Sequence, residues 1–272
     1  MPVSDRELAV ERGDDMPGAV LVPRMRPGSV PVLGARYWTA ISLASIAGCN
    51  LGDFVAHFLR LGHWHGLLPL AAIFALLVFG ERRASRASEA WYWAVIIVIR
   101  TAATNLADLA HDQFNIEFAW TIAVLEVAQV LVVLQLAPRF IPAGTHGPSR
   151  FVVDGWYWAS MLIAGTLGTA IGDCVAEEFK LGAGYGTLAL STILAVILII
   201  GTRARWSKAS YWFAIVAVRA AGTTAGDFLA FRTGLGLAIC TACTCAVFVT
   251  MLLLWRPRPL AAAPQPLSSA GS

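Results

Sequence analysis

Charge is what this sequence has least of. Only 14% of its 272 residues are Asp, Glu, Lys or Arg, against about a quarter in soluble domains. One large buried core does not account for the shortage. Apolar stretches of about 18–25 residues recur along the whole chain, long enough to cross the roughly 30 Å hydrocarbon layer of a bilayer. Concentrated basic charge is also lacking. The net charge is +3 and the basic residues are scattered between apolar stretches, which excludes the basic face that nucleic acid requires. There are five cysteines. An odd number, all inside expected helices, excludes a secreted disulfide framework. The first 35 residues mix both signs of charge with Pro and Gly and carry no apolar signal-peptide core. No HExxH zinc motif, nucleophile triad or phosphate-cradling loop occurs. The expectation is therefore a protein that is not an enzyme and has no cofactor.

What is present is apolar residue in quantity, 57% of the chain with mean hydropathy +0.66, arranged as a repeat. A Tyr-Trp pair occurs at Tyr37-Trp38, Tyr92-Trp93, Tyr157-Trp158 and Tyr211-Trp212. Fifteen positions after each Trp stands an aspartate: Asp53, Asp108, Asp173 and Asp227. Before each Asp runs a small-xxx-small step, Gly48/Gly52, Ala103/Ala107, Gly168/Gly172 and Gly222/Gly226, and eight positions after it comes an aliphatic residue, Leu61, Ile116, Leu181 or Leu235. Each copy reads as helix, short turn, helix. The fold expected is all-α, a polytopic membrane bundle of eight transmembrane helices in four parallel two-helix repeats. The helices are placed near 37–58, 64–81, 91–112, 117–137, 155–177, 184–202, 209–231 and 235–255. Residues 36–137 form the first membrane half and 155–255 the second, joined by a Pro/Gly-rich linker over 138–154. Residues 1–35 and 256–272 are expected to be disordered tails.

Orientation follows from the basic residues. Connections between repeats carry Arg82, Arg83, Arg86, Arg139, Arg150, Arg203, Arg205 and Lys208, whereas the turns within repeats hold Arg60, Lys180 and Arg232. The positive-inside rule puts both termini and the inter-repeat loops in the cytoplasm, with the Tyr-Trp pairs as interfacial anchors. Four two-helix units, each with a Trp at its start and a small-Asp step late in its first helix, resemble a group of bacterial integral membrane proteins. Those proteins carry four tandem repeats of unknown function and are often labelled membrane-anchored. The resemblance covers roughly residues 36–255 and implies the bacterial cytoplasmic (inner) membrane. It implies no activity and no functional residues.

Function must then be argued from polar groups at bilayer depth. Arg100 and Arg219 lie mid-helix, eight positions before their Asp, where the other copies have Ser45 and Gly165. An intramembrane charge costs at least about 2.5–3.5 kcal/mol and faces the bundle interior or water. Eight residues span about 12 Å of helix, so each Arg is expected to find a carboxylate on a neighbouring helix. The Asp lies about 22 Å from the helix start, in the outer part of the membrane. One turn further on are His57, Asp112 and Glu177, candidate metal ligands on the same face; the fourth copy has Phe231 there. The four Asp together with Glu126 outnumber the two Arg by three, an excess that needs protons or a cation beside it in low dielectric. Asp53, Asp108, Asp173, Asp227 and Glu126 are therefore the expected ion-binding or proton-carrying groups, with Arg100 and Arg219 as charge partners. The small residues Gly48, Gly52, Ala103, Ala107, Gly168, Gly172, Gly222 and Gly226 are read as helix-packing faces. His63 and His65 read as an interfacial turn, and Cys240, Cys243 and Cys245 as packing residues. Apart from the lipid bilayer, the partner expected is a small cation or proton. The function expected is a cation transporter, for a divalent metal or proton-coupled, whose two halves rock to alternate access. The competing reading is a non-transporting membrane scaffold or sensor. Intramembrane aspartyl proteases use a Gly-x-Gly-Asp step, and no copy here has its first Gly.

Overall fold

The computed structural model describes residues 24–26, 29–136, 140–141, 150–204 and 206–255. Eight long helices account for nearly all of them. α1 spans Ala35–Asp53 and continues as a π-helical turn over Phe54–Phe58. α2 is Gly62–Arg83. α3 is Glu89–Asp108, again with a π turn, Leu109–Gln113. α4 is Phe118–Leu131 with a π turn Val132–Leu136. α5 is Gly155–Glu177 and α6 is Gly182–Ala204. α7 is Lys208–Asp227 with a π turn Phe228–Arg232, and α8 is Leu237–Leu254. Among the described residues the one strand pairing is a two-residue ribbon in the linker, Phe140–Ile141 antiparallel to Arg150–Phe151.

All eight expected helices are present, with one correction. Seven are long and apolar enough to cross a membrane, while Phe118–Leu134 is apolar but shorter. The architecture is that of a multi-pass membrane protein. Local chemistry sets the helix ends. Ser88, Asp154 and Ser207 each accept a backbone N–H of the first turn, and Ser207 forms a reciprocal capping box with Ser210, which satisfies donors the helix leaves orphaned. Seven positions after each Asp the backbone turns left-handed, at Arg60, Asn115, Lys180 and Gly234. Non-Gly residues seldom adopt that conformation. Its recurrence in all four connections fixes the same helix–turn–helix geometry in each.

The helices sort into two shells. α1 packs on α3, α3 on α5, α5 on α7, and α7 back on α1, a closed inner ring. Outside it α2 leans on α3, α4 on α5, α6 on α7 and α8 on α1. Each outer helix therefore covers chiefly the inner helix of the next pair rather than its own. The inner spans are each 61% buried, against 11–22% for the spans of α2, α6 and α8. Leu68, Leu76, Trp120, Leu188, Ile200 and Leu254 are among the large apolar residues left exposed on the outer helices, the arrangement expected where lipid is the solvent.

Small residues let the ring close. A Cβ added to Gly48 would meet the Arg100 side chain, and one added to Gly168 would meet that of Arg219. Gly165 sits against Ala103, and Gly222 against Ser45. One step along, Gly52 faces Thr104, Gly172 faces Thr223 and Gly226 faces Cys49. In each case a side chain of one inner helix lies over a glycine of a neighbouring inner helix, which permits close approach of the backbones.

The expected tails lie mostly outside the described residues. The portion that is described packs against the bundle. Met25 is buried and its N–H donates to Val153 O at 2.8 Å. Arg26 Nε and Ser29 Oγ both donate to Glu81 Oε1, at 2.9 and 2.6 Å, and Glu81 is fully buried. A buried carboxylate needs such donors, so Met25, Arg26 and Ser29 are held against the bundle.

Candidate functional site

The polar groups fall on the inward rows of the ring helices. Reading each row at every fourth residue gives Tyr37, Ile41, Ser45, Cys49, Asp53 on α1 and Tyr92, Ile96, Arg100, Thr104, Asp108 on α3. On α5 it gives Tyr157, Met161, Gly165, Thr169, Asp173, and on α7 Tyr211, Ile215, Arg219, Thr223, Asp227. Four residues rise about 6 Å, so the bundle axis is a stack of layers.

The first layer is a ring of phenols. Tyr37 and Tyr92 are hydrogen-bonded at 3.1 Å, Tyr92 and Tyr157 at 2.5 Å, Tyr157 and Tyr211 at 2.9 Å, and Tyr211 and Tyr37 at 2.5 Å. All four are buried, as are the adjoining tryptophans. This corrects the expectation of interfacial anchors. Helical side chains lean toward the N-terminus, and where four N-termini converge the phenols reach one another. Phe151 covers the ring, its centroid 4.2 Å from that of Tyr211. Beneath it Ile41, Ile96, Met161 and Ile215 form an apolar layer with no exposed surface.

The third and fourth layers hold the arginines, and here the expected charge pairing is not observed. Arg100 donates through Nη1 to Thr104 Oγ1 at 2.9 Å and Thr169 Oγ1 at 2.6 Å. Its Nη2 donates to Thr223 Oγ1 at 2.6 Å and its Nε to Ser45 O at 3.3 Å. One guanidinium thus ties α3 to α1, α5 and α7. Arg219 is equally buried and has no hydrogen-bond partner among the described residues. Eight residues of helix separate each Arg from its own Asp, and the threonine layer lies in between.

The fifth layer brings together the four aspartates. Asp53 is buried and Asp108, Asp173 and Asp227 are partly open. Their carboxylates act on one another electrostatically, Asp173 on Asp227, Asp108 and Asp53, and Asp227 on Asp53. Cys49 joins them. Its Sγ lies 3.6 Å from Asp227 Oδ1, and ligand atoms of Cys49, Asp53 and Asp227 all stand within 4.8 Å of one another. A thiol and two carboxylates suit a borderline divalent ion such as zinc. Sequence reading missed Cys49, although it lies four residues before Asp53 in the place of Thr104, Thr169 and Thr223.

The remaining candidates take other places. His57, Asp112 and Glu177 stand on the exposed rim beyond the aspartates. His63, read from sequence as part of an interfacial turn, is buried at the start of α2. Its Nδ1 is 3.5 Å from Asp108 Oδ2 and its Nε2 is 3.9 Å from Asp112 Oδ2, with His57 beside it at 5.2 Å between ring centroids. Glu126 is exposed on α4, outside the ring, and does not join the carboxylates. π turns follow Asp53, Asp108 and Asp227 directly. Such turns recur at functional sites.

The family model described as Repeat of Unknown Function (DUF347) matches residues 156–206 and 210–257, the helix pairs α5–α6 and α7–α8. No curated protein and no solved structure matches the chain.

Proposed function

We propose that this protein is a cation transporter of the bacterial inner membrane, built from four parallel two-helix repeats, with both termini in the cytoplasm. Its binding site is the aspartate layer at the outer end of the ring. The observation that carries this reading is the approach of Asp53 and Asp227 to Cys49, their ligand atoms within 4.8 Å of one another, in the layer that also holds Asp108 and Asp173, with no arginine bonded to any of the four among the described residues. Carboxylates gathered at bilayer depth need a cation or protons beside them. The thiol favours a divalent metal over an alkali ion. Beyond the threonine layer Arg100 and Arg219 place positive charge in the bundle interior, and the apolar and phenol layers follow. A cation entering from the aspartate end meets a barrier, which supports gated transport over an open channel.

The test is uptake and efflux in proteoliposomes loaded with a panel of divalent ions and a pH indicator. Wild type is compared with Asp53→Asn, Asp227→Asn and the double variant, each checked for thermal stability. Flux of one cation that disappears on neutralisation supports the proposal and names the substrate. Absence of any flux, with variants as stable as wild type, refutes it in favour of the scaffold or sensor.

A further inference from the structure

Arg219 has none of its surface exposed, and its Nε, Nη1 and Nη2 have no hydrogen-bond partner among the described residues. Its position is the counterpart of Arg100, yet the two are treated differently. The Arg100 guanidinium is taken up by three threonine hydroxyls and a carbonyl. Arg219 offers five donors and receives no acceptor. The other charged group of its layer is Arg100, a like charge. An isolated buried cation is far too costly to persist without a counter-charge. The protein's carboxylates are gathered one layer beyond the threonines.

A second orphan donor lies in the same layer. Ser45 Oγ on α1 is fully buried and without a partner. It packs against Gly222, three residues beyond Arg219 on α7, while the Arg219 stem lies over Gly168 of α5. The donors of the guanidinium outnumber the free acceptors of this layer, which is the opposite of the aspartate layer. Ile41, Ile96, Met161 and Ile215 close the layer on one side and the Arg100–threonine network on the other. We propose that Arg219, with Ser45, binds one small monovalent anion of halide size in the bundle interior. A single negative charge balances the buried guanidinium that has no hydrogen-bond partner among the described residues. A multiply charged oxyanion would bring further acceptors with nothing to meet them, since the donors of Arg100 are engaged. The inference stands on the arginine layer alone and does not depend on the cation reading.

The experiment uses full-length protein in detergent, exchanged into chloride-free gluconate buffer. Radioactive chloride binding is measured at equilibrium, with bromide as competitor. Saturable binding near one equivalent, displaced by bromide and weakened at least about tenfold in Arg219→Gln but not in Arg219→Lys, is the expected result. Crystals grown in bromide supply a measurement that needs no variant, because the anomalous peak is expected within hydrogen-bond distance of the Arg219 guanidinium. Wild type that binds no chloride saturably, or a bromide peak located elsewhere, overturns the proposal.

Discussion

Two glycines of the ring, Gly48 and Gly168, lie directly under arginine stems, and replacing them with alanine tests the packing against a known opposing effect. Alanine favours helix over glycine by about 0.8–1 kcal/mol, so each change would stabilise the protein if space allowed. At Gly48 the added Cβ would lie 2.3 Å from Arg100 Cγ and 2.6 Å from Arg100 Cβ. These atoms are the root of the side chain, and they cannot move away without shifting α3. At Gly168 the contacts are tighter still in kind: Arg219 Cβ at 2.3 Å, Val216 O at 2.9 Å and Ala220 N at 3.0 Å. Two of the three are backbone, so the α5–α7 spacing itself must widen. Overpacking of this type costs about 1–3 kcal/mol, which exceeds the propensity gain at its upper end and cancels it at its lower. Gly186 on α6 is the control, because its Cβ would meet Thr224 Cγ2 at an ordinary 3.4 Å. The expected order of stability is Gly186→Ala at or above wild type, then Gly48→Ala, then Gly168→Ala. The propensity gain is common to both, so the first and last should differ by the overpacking cost, about 1–3 kcal/mol. Reversible unfolding of detergent-solubilised protein, read by circular dichroism, measures it. If Gly168→Ala unfolds with Gly186→Ala, the inner ring is not packed as described.

Three further outcomes follow from the layers. Tyr92→Phe removes a hydroxyl bonded to Tyr37 and Tyr157 and should destabilise by about 1–3 kcal/mol, whereas Tyr185→Phe, at a residue 74% exposed, should be neutral in the same unfolding assay. Glu126→Gln should leave cation flux in proteoliposomes unchanged, because Glu126 is exposed on α4 away from the carboxylates; loss of flux would place the ion path outside the ring. Cys49→Ser should weaken zinc binding by roughly tenfold or more while leaving manganese little changed, since the thiolate is the soft ligand of the group, and calorimetric titration of both metals checks it.

Much of the fold was legible because the membrane imposes a narrow menu. Helix number and placement follow from apolar length, and the repeat register from Tyr, Trp and Asp at fixed spacing. The convergence of Asp53, Asp108, Asp173 and Asp227 was likewise readable, since small residues at fixed distance from each Asp imply one shared packing face. The arginines were misjudged for a physical reason. Charge counting pairs Arg100 with a carboxylate, but the geometry gives it threonines, because Thr104, Thr169 and Thr223 stand on three neighbouring helices at the depth its donors reach. The phenol ring was hidden for a related reason. An aromatic pair at a helix start reads the same whether it faces lipid headgroups or three copies of itself. His63 shows the limit of a linear reading, for its partners Asp108 and Asp112 belong to the next helix pair. That neighbour relation depends on α2 leaning on α3 and not on α1.

The departures from fourfold repetition have a common logic. The left-handed turn recurs in all four helix pairs, at Arg60, Asn115, Lys180 and Gly234, although π turns follow the aspartate in three of them. The side chains repeat twice. Arginine occurs at alternate positions of its layer, and each arginine stem crosses a glycine of the preceding helix, Gly48 under Arg100 and Gly168 under Arg219. Where the layer has Gly165 instead, the residue beneath is Ala103, and the two fill the gap together. Size is therefore matched across each interface rather than set by one rule for all four. Polarity is matched in the same way, but only once: Arg100 finds threonines on α3, α5 and α7, whereas the corresponding place on α1 is Cys49, whose sulfur turns toward Thr223 O and Asp227. A single substitution in the threonine row thus links the two unusual features of the interior. With Cys49 in that row the aspartate layer gains a soft ligand, and the three hydroxyls that remain in the row are all engaged by the first arginine.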